Sequence, residues 1–222
     1  MELIRWILDL LLHLDRHLGG LIQDFGPWFY AIVFLIIFCE TGLVATPFLP
    51  GDSLLFTLGV FAAKGDLNLV ALFALIPAAA ILGDMANYWI GRSAGHTLAS
   101  KFPRLIKKEY LERTHLFYER YGAKTIVLAR FVPIVRTFAP FVAGVGEMSY
   151  RRFMAFNVLG AVLWAGLLLP LGHSFANHPV VKQRFSLVIF AIIFLSILPW
   201  VIEFLRERKR LKLAGQEKST AP

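Results

Sequence analysis

The chain has 222 residues, 57% of them hydrophobic, with a mean hydropathy of +0.63 and a formal net charge of +8. That is too apolar for a soluble domain of this size, so composition points to an integral membrane protein. The basic residues flank apolar segments instead of forming a stripe with interleaved aromatics, which argues against a nucleic-acid partner and for the positive-inside pattern. The single cysteine, Cys39, excludes an internal disulfide framework and a metal site built on thiolates alone.

The N-terminus carries Glu2 and Asp9 and lacks a cationic n-region, so no cleavable signal peptide is expected. Residues 2–18 place Leu3, Ile7, Leu10, Leu14 and Leu18 on one helical face, with Glu2, Arg5, Asp9, His13 and Arg16 largely off it. This spacing predicts an amphipathic helix on or near the membrane surface. His13 and His17 stand four apart, a spacing two metal ligands can share. No third ligand is nearby, so a polar helix face is the better reading and no metal or other cofactor is expected.

Residues 29–63 are apolar enough for a bilayer, yet carry Glu40 and Asp52 and are broken at Pro47, Pro50 and Gly51. A spanning helix needs about 20 mostly apolar residues. The run is too long for one span and short for two. Non-helical backbone at membrane depth persists only where protein buries it or it lines a watered cavity. The prediction is a re-entrant hairpin over about 28–63, turning at 47–52. Asp52 and Ser53 also follow Pro50-Gly51 in the manner of a helix N-cap, so capping competes with function at Asp52. Glu40 has no such alternative in the sequence.

Lys64-Gly65-Asp66 reads as a polar turn and 67–92 as a span. Within it Gly83, Asn87, Gly91 and Gly95 recur every four residues, a pattern that admits a neighbouring helix closely. Asp84 and Asn87 either belong to that packing face or line a polar cavity. Residues 96–124 form a basic block, predicted as a surface helix on the cytoplasmic side. A second hairpin is predicted over about 125–147, with Arg130 and Arg136 around Pro133. Each charge would cost about 2.5–3.5 kcal/mol at a helix centre, and four facing lipid about 10–14 kcal/mol, so all four should face inward. Two acids in one hairpin and two arginines in the other read as halves of one site, with Glu40 or Asp52 in reach of Arg130 or Arg136. The arginines stand six apart, roughly 240° on an unbroken helix. A break at Pro133 lets both converge, and a guanidinium fork suits a phosphate. A purely structural ion pair with the acids is the alternative.

Spans at 150–172 and 185–205 follow, then a basic tail over 206–222. With both basic blocks cytoplasmic, the two hairpins enter from opposite leaflets. Matches of Phe48-Leu49-Pro50 to Phe131-Val132-Pro133, of Gly65-Asp66-Leu67-Asn68 to Gly146-Glu147-Met148-Ser149, and of Gly83 and Trp89 to Gly160 and Trp164 suggest an internal repeat. The expected fold is an all-α integral membrane protein. A single membrane domain over 1–205 would hold two opposed re-entrant hairpins and spanning helices, as in inverted-repeat transporters.

Taken together, Glu40-Thr-Gly-Leu, Phe48-Leu-Pro-Gly-Asp-Ser53, Gly83-Asp84, Gly91-Arg92, the stretch Ala129 to Thr137 and Gly144 to Tyr150 resemble the DedA family, over about residues 10–205. That family is related to eukaryotic VTT-domain lipid scramblases. The resemblance implies a bacterial inner-membrane, proton-dependent transporter of lipid phosphates, with undecaprenyl phosphate or phospholipid as substrate. It carries the required acids and arginines onto Glu40, Asp52, Arg130 and Arg136. The expected roles are phosphate binding for Arg130 and Arg136 and proton coupling or gating for Glu40 and Asp52. Transport of an ion or a cationic drug is an alternative, and so is a structural partner of a membrane complex. A membrane lipid pyrophosphatase is disfavoured, since the basic, Ser-Gly-His and late His motifs of phosphatidic-acid phosphatases are missing.

Overall fold

Apolar runs interrupted by prolines and glycines fold as a series of helices. The computed structural model describes residues 14–43, 51–101 and 124–179, with single positions at 188 and 191. The predicted N-terminal surface helix before residue 14, the turn at 47–50, most of the basic block, the 185–205 span and the tail lie outside the described residues. Every regular element described is helical: α1 (Leu14–Phe25), α2 (Trp28–Gly42), α3 (Gly51–Lys64), α4 (Leu69–Lys101), α5 (Pro133–Val145) and α6 (Tyr150–Phe175). A further helical segment covers 124–129. Within α4, Leu69–Ala94 is long and apolar enough to cross a bilayer, and so is α6. The chain is thus all-α with two candidate spans among the described residues.

Local chemistry sets the boundaries. Asn68 starts α4, its Oδ1 accepting the amides of Val70 and Ala71 at 2.9 and 3.1 Å, as an N-cap does. Pro133 opens α5, where its missing N–H costs nothing. The turns after α3 and α5 close alike. Gly65 (φ 87°) precedes an Asp66 amide that reaches back to Phe61 O at 3.1 Å; Glu147 (φ 54°) precedes a Met148 amide on Ala143 O at 3.0 Å. A left-handed residue followed by such a return bond is a common helix ending. The equivalent residues are therefore Gly65 and Glu147, one position away from the Gly65–Gly146 match read in the sequence.

Packing follows the small residues. α3 lies along α6 and α5 along α4, while α2 packs on α4 and α4 on α6. The first two crossings share one geometry. A methyl on Gly172 would strike the Phe56 carbonyl, and one on Gly59 the Leu169 carbonyl. Likewise a methyl on Gly91 would strike the Phe141 carbonyl, and one on Gly144 the Tyr88 carbonyl. In both crossings the numbers run in opposite senses, so the helices are antiparallel with backbone against backbone. Such close approach gains dispersion and weak Cα–H···O contacts that no larger residue permits. Gly91, predicted as a packing residue, is one of these positions.

The apolar core has two parts. One gathers Val33, Ile37, Leu55, Leu58, Leu72, Ile76, Trp164 and Leu169 among α2, α3, α4 and α6. The other joins Tyr88, Ile126, Ala143, Met148 and Phe153. Val158, Leu159, Val162, Leu163 and Leu167 point outward from α6, as expected of a helix face against lipid.

Candidate functional site

Charged side chains are buried inside the helix packing, in two clusters. The first is centred on Arg136, in the first turn of α5. Its Nη2 donates to Glu40 Oε1, near the C-terminal end of α2, and its Nη1 donates to Asp52 Oδ1 on α3 at 3.0 Å. Trp164 of α6 completes the group. Its indole N–H donates to the same Asp52 Oδ1 at 2.8 Å, and the Arg136 guanidinium lies 4.9 Å from its ring centroid. Four helices each contribute one side chain.

Glu40 has a further role invisible in the sequence. The Gly51 amide donates to its Oε1 at 3.2 Å, so a carboxylate from α2 takes an orphan amide at the start of α3. A methyl on Gly51 would collide with the same carboxylate, so a larger residue there would push Glu40 out of this position. Asp52, which the Pro50-Gly51 pattern offered as an N-cap, instead sits inside the first turn of α3. Its carboxylate is turned towards Arg136 and Trp164. The Asp52 side chain is 17% exposed, whereas those of Glu40 and Arg136 are at 3% or less. Asp52 is thus the member of the cluster nearest the outside.

The second cluster is centred on Arg130, in the turn before Pro133. Its Nη2 donates to Asp84 of α4 and to Asn157 of α6. Asn157 in turn donates to the Ile81 carbonyl at 3.1 Å. The side chain of Arg130 crosses the face of α6 at Gly160, where an added methyl would lie 3.2 Å from Nε. Asn87 serves a different purpose. Its amide nitrogen donates to Thr41 O at 3.1 Å and Thr137 O at 2.7 Å, tying α2 and α5 to α4. Asp84 and Asn87 are fully enclosed and engaged with protein groups.

The sequence-predicted residues are therefore distributed over both clusters. Glu40 and Asp52 meet Arg136. Arg130 meets Asp84 and Asn157 instead. The break before Pro133 turns Arg130 towards α4 and α6, while Arg136, in the first turn of α5 after the break, faces α2 and α3. Asn157 stands alone as an amide inside an apolar run, which marks an inward-facing position by the same cost argument as the charges. Trp164 gave no comparable signal, since a buried tryptophan is ordinarily core. Several polar atoms at the clusters have no protein partner: Glu40 Oε2, Asp84 Oδ1, Asn87 Oδ1, Arg130 Nη1 and Arg136 Nε. Buried polar atoms of this kind call for water or a ligand. Among the described residues no group of His, Cys, Asp and Glu side chains has metal-binding geometry.

Comparison with known proteins follows the same residues. The model of the VTT domain matches residues 49–174, which include every member of both clusters except Glu40. Protein DedA of Escherichia coli K12 is 53% identical over 219 residues, covering 97% of this chain and all of its own. The inner membrane protein YghB of the same organism is 34% identical over 171 residues, 77% of each chain. An uncharacterized membrane protein of Mycobacterium leprae is 43% identical over 169 residues, 76% of each chain. No solved structure matches. With a domain match over more than half its length and relatives at these identities, the chain belongs to the DedA family of VTT-domain membrane proteins.

Proposed function

We propose that this protein is a transporter that carries a lipid phosphate, undecaprenyl phosphate foremost, between the leaflets of the bacterial inner membrane. The observation that carries the reading is Arg136, a buried guanidinium shared by two carboxylates on two other helices, one of which is partly open to the outside. A phosphate entering beside Asp52 replaces one carboxylate with an equally good bidentate acceptor. Arg130, with its unpartnered Nη1, supplies the second donor. Displaced Glu40 or Asp52 takes up a proton, which couples lipid movement to protons. The headgroup travels in the polar centre while the tail stays in lipid, and no enzymatic step is needed.

The matching antiparallel crossings of α3 on α6 and α5 on α4 support an inverted repeat, whose hairpins would enter from opposite leaflets; the basic residues of the tail favour a cytoplasmic C-terminus. The test is translocation of a fluorescent polyprenyl phosphate in proteoliposomes, read by an impermeant quencher. Faster exchange with protein than without is expected, and equal rates overturn the reading. Phospholipid scrambling is the second reading. It is favoured by the excess of three carboxylates over two guanidiniums, which suits a headgroup carrying an amine. Equal competition by phosphatidylethanolamine and by polyprenyl phosphate would select it. Release of inorganic phosphate by the purified chain would point to a hydrolase instead.

A further inference from the structure

One stripe of α4 carries both α2 and α5. Gly83, Asn87 and Gly91 stand four apart along it. A methyl on Gly83 would strike Thr41 Oγ1 of α2, and one on Gly91 the Phe141 carbonyl of α5, so α2 lies close at one end of the stripe and α5 at the other. Asn87 sits between them, fully buried, and its side-chain nitrogen donates to Thr41 O at 3.1 Å and to Thr137 O at 2.7 Å. Both neighbours are carbonyls, so only the nitrogen of the amide can face them. Thr41 follows Glu40 and Thr137 follows Arg136, and these two residues are bonded to each other in the first cluster.

Resting on the transport reading above, we propose that Asn87 is a positioning residue that fixes Glu40 against Arg136. α2 and α5 each pack along α4 and touch each other little, so their relative placement is set on α4. Asn87 is a point there at which both backbones are held by hydrogen bonds. Thr41 is the second-last residue of α2, where a helix carbonyl has no intrahelical partner, so the amide supplies what the helix end lacks. The Thr137 carbonyl, inside α5, has a second lone pair for it. Because one nitrogen makes both bonds, α2 cannot slide against α5 without losing one of them. The carboxylate and the guanidinium that must part for a phosphate each stand one residue from a tied carbonyl. Their charged ends can thus exchange partners while their backbones keep the spacing, as a preorganised site requires. Core packing alone would be met by an apolar side chain of this size and has no use for an amide.

The experiment uses the full chain with Asn87→Leu, which keeps a side chain of similar volume and removes both donors. In a Cys39→Ser background, spin labels at Leu35→Cys on α2 and Phe138→Cys on α5 report the distance between these helices. A second pair, Leu82→Cys on α4 and Leu159→Cys on α6, is the control; all four side chains are exposed. Asn87→Leu is expected to widen the α2–α5 distance distribution and to leave the α4–α6 one unchanged. In the unlabelled chain it should weaken hexadecyl phosphate binding by about tenfold, the order of losing one or two hydrogen bonds. An unmoved α2–α5 distribution, equal widening of both, or unchanged affinity would overturn the assignment and leave Asn87 as packing. If the chain with Asn87 intact does not bind hexadecyl phosphate, the transport reading falls, and the two distance distributions still decide whether Asn87 holds α2 against α5. Should Asn87→Leu not fold, Asn87→Asp is read in its place: it keeps the shape and, with one donor at most, can hold only one of the two carbonyls.

Discussion

Arg136 and Arg130 carry the same charge in the same short stretch, yet their surroundings give them different consequences on substitution. Arg136 reaches Glu40 and Asp52 with two separate nitrogens and lies face-on to Trp164. An ammonium offers one point charge and no plane, so Arg136→Lys should reduce lipid-phosphate translocation by about tenfold or more. Proteoliposome exchange checks this; full activity of the lysine variant would show that a point charge suffices. Arg130 is locked between Asp84 and Asn157 deep in the helix packing. Arg130→Ala strands Asp84 and should cost about 3–5 kcal/mol of stability. Replacing both partners, Arg130→Met with Asp84→Asn, removes the stranded charge and should recover most of the loss without restoring transport. Unfolding temperatures of the purified variants check the first half, and the exchange assay checks the second.

At the scale of elements, the helices are held by glycines set against carbonyls. Gly172 has the Phe56 carbonyl where a side chain would go, and Gly144 has that of Tyr88. Backbone cannot yield as a flexible side chain can. Gly172→Ala and Gly144→Ala should therefore each destabilise the chain by about 1–3 kcal/mol, and by similar amounts because the two crossings are alike. Gly166 lies on α6 with open space around it. Gly166→Ala should be neutral or stabilising by at most about 1 kcal/mol. Thermal unfolding of the three variants side by side tests the packing, and equal behaviour of Gly166→Ala and Gly172→Ala would refute it.

For the whole molecule, the two similar turns after α3 and α5 give the proposed topology a direct test. If the hairpins enter from opposite leaflets, the Gly65–Asp66 turn and the Gly146–Glu147 turn lie on opposite membrane faces. In a Cys39→Ser background, Asp66→Cys should react with an impermeant thiol reagent from the periplasmic side. Gly146→Cys should react only after the cytoplasmic side is opened. Labelling of both from one side would exclude opposed hairpins.

Composition and the placement of charges in apolar runs determined much of this by themselves. They established the helical membrane class, the breaks near Gly51 and Pro133, and the inward direction of Glu40, Arg130 and Arg136, because burying or paying for a charge in hydrocarbon is a local cost that each residue carries wherever the chain folds. The family was legible for the same reason, in the charged motifs. Pairing was not local. Which acid meets which arginine depends on how α5 lies against α4 and on which way the chain turns before Pro133, so Arg130 found Asp84 and Asn157 rather than the acids of the first hairpin. The capping of Gly51 by Glu40 spans 11 positions, and the contact of Trp164 with Asp52 spans 112. No periodicity encodes such distances. Only the antiparallel crossing of α3 on α6, set by glycines that let two backbones touch, brings that indole to that carboxylate.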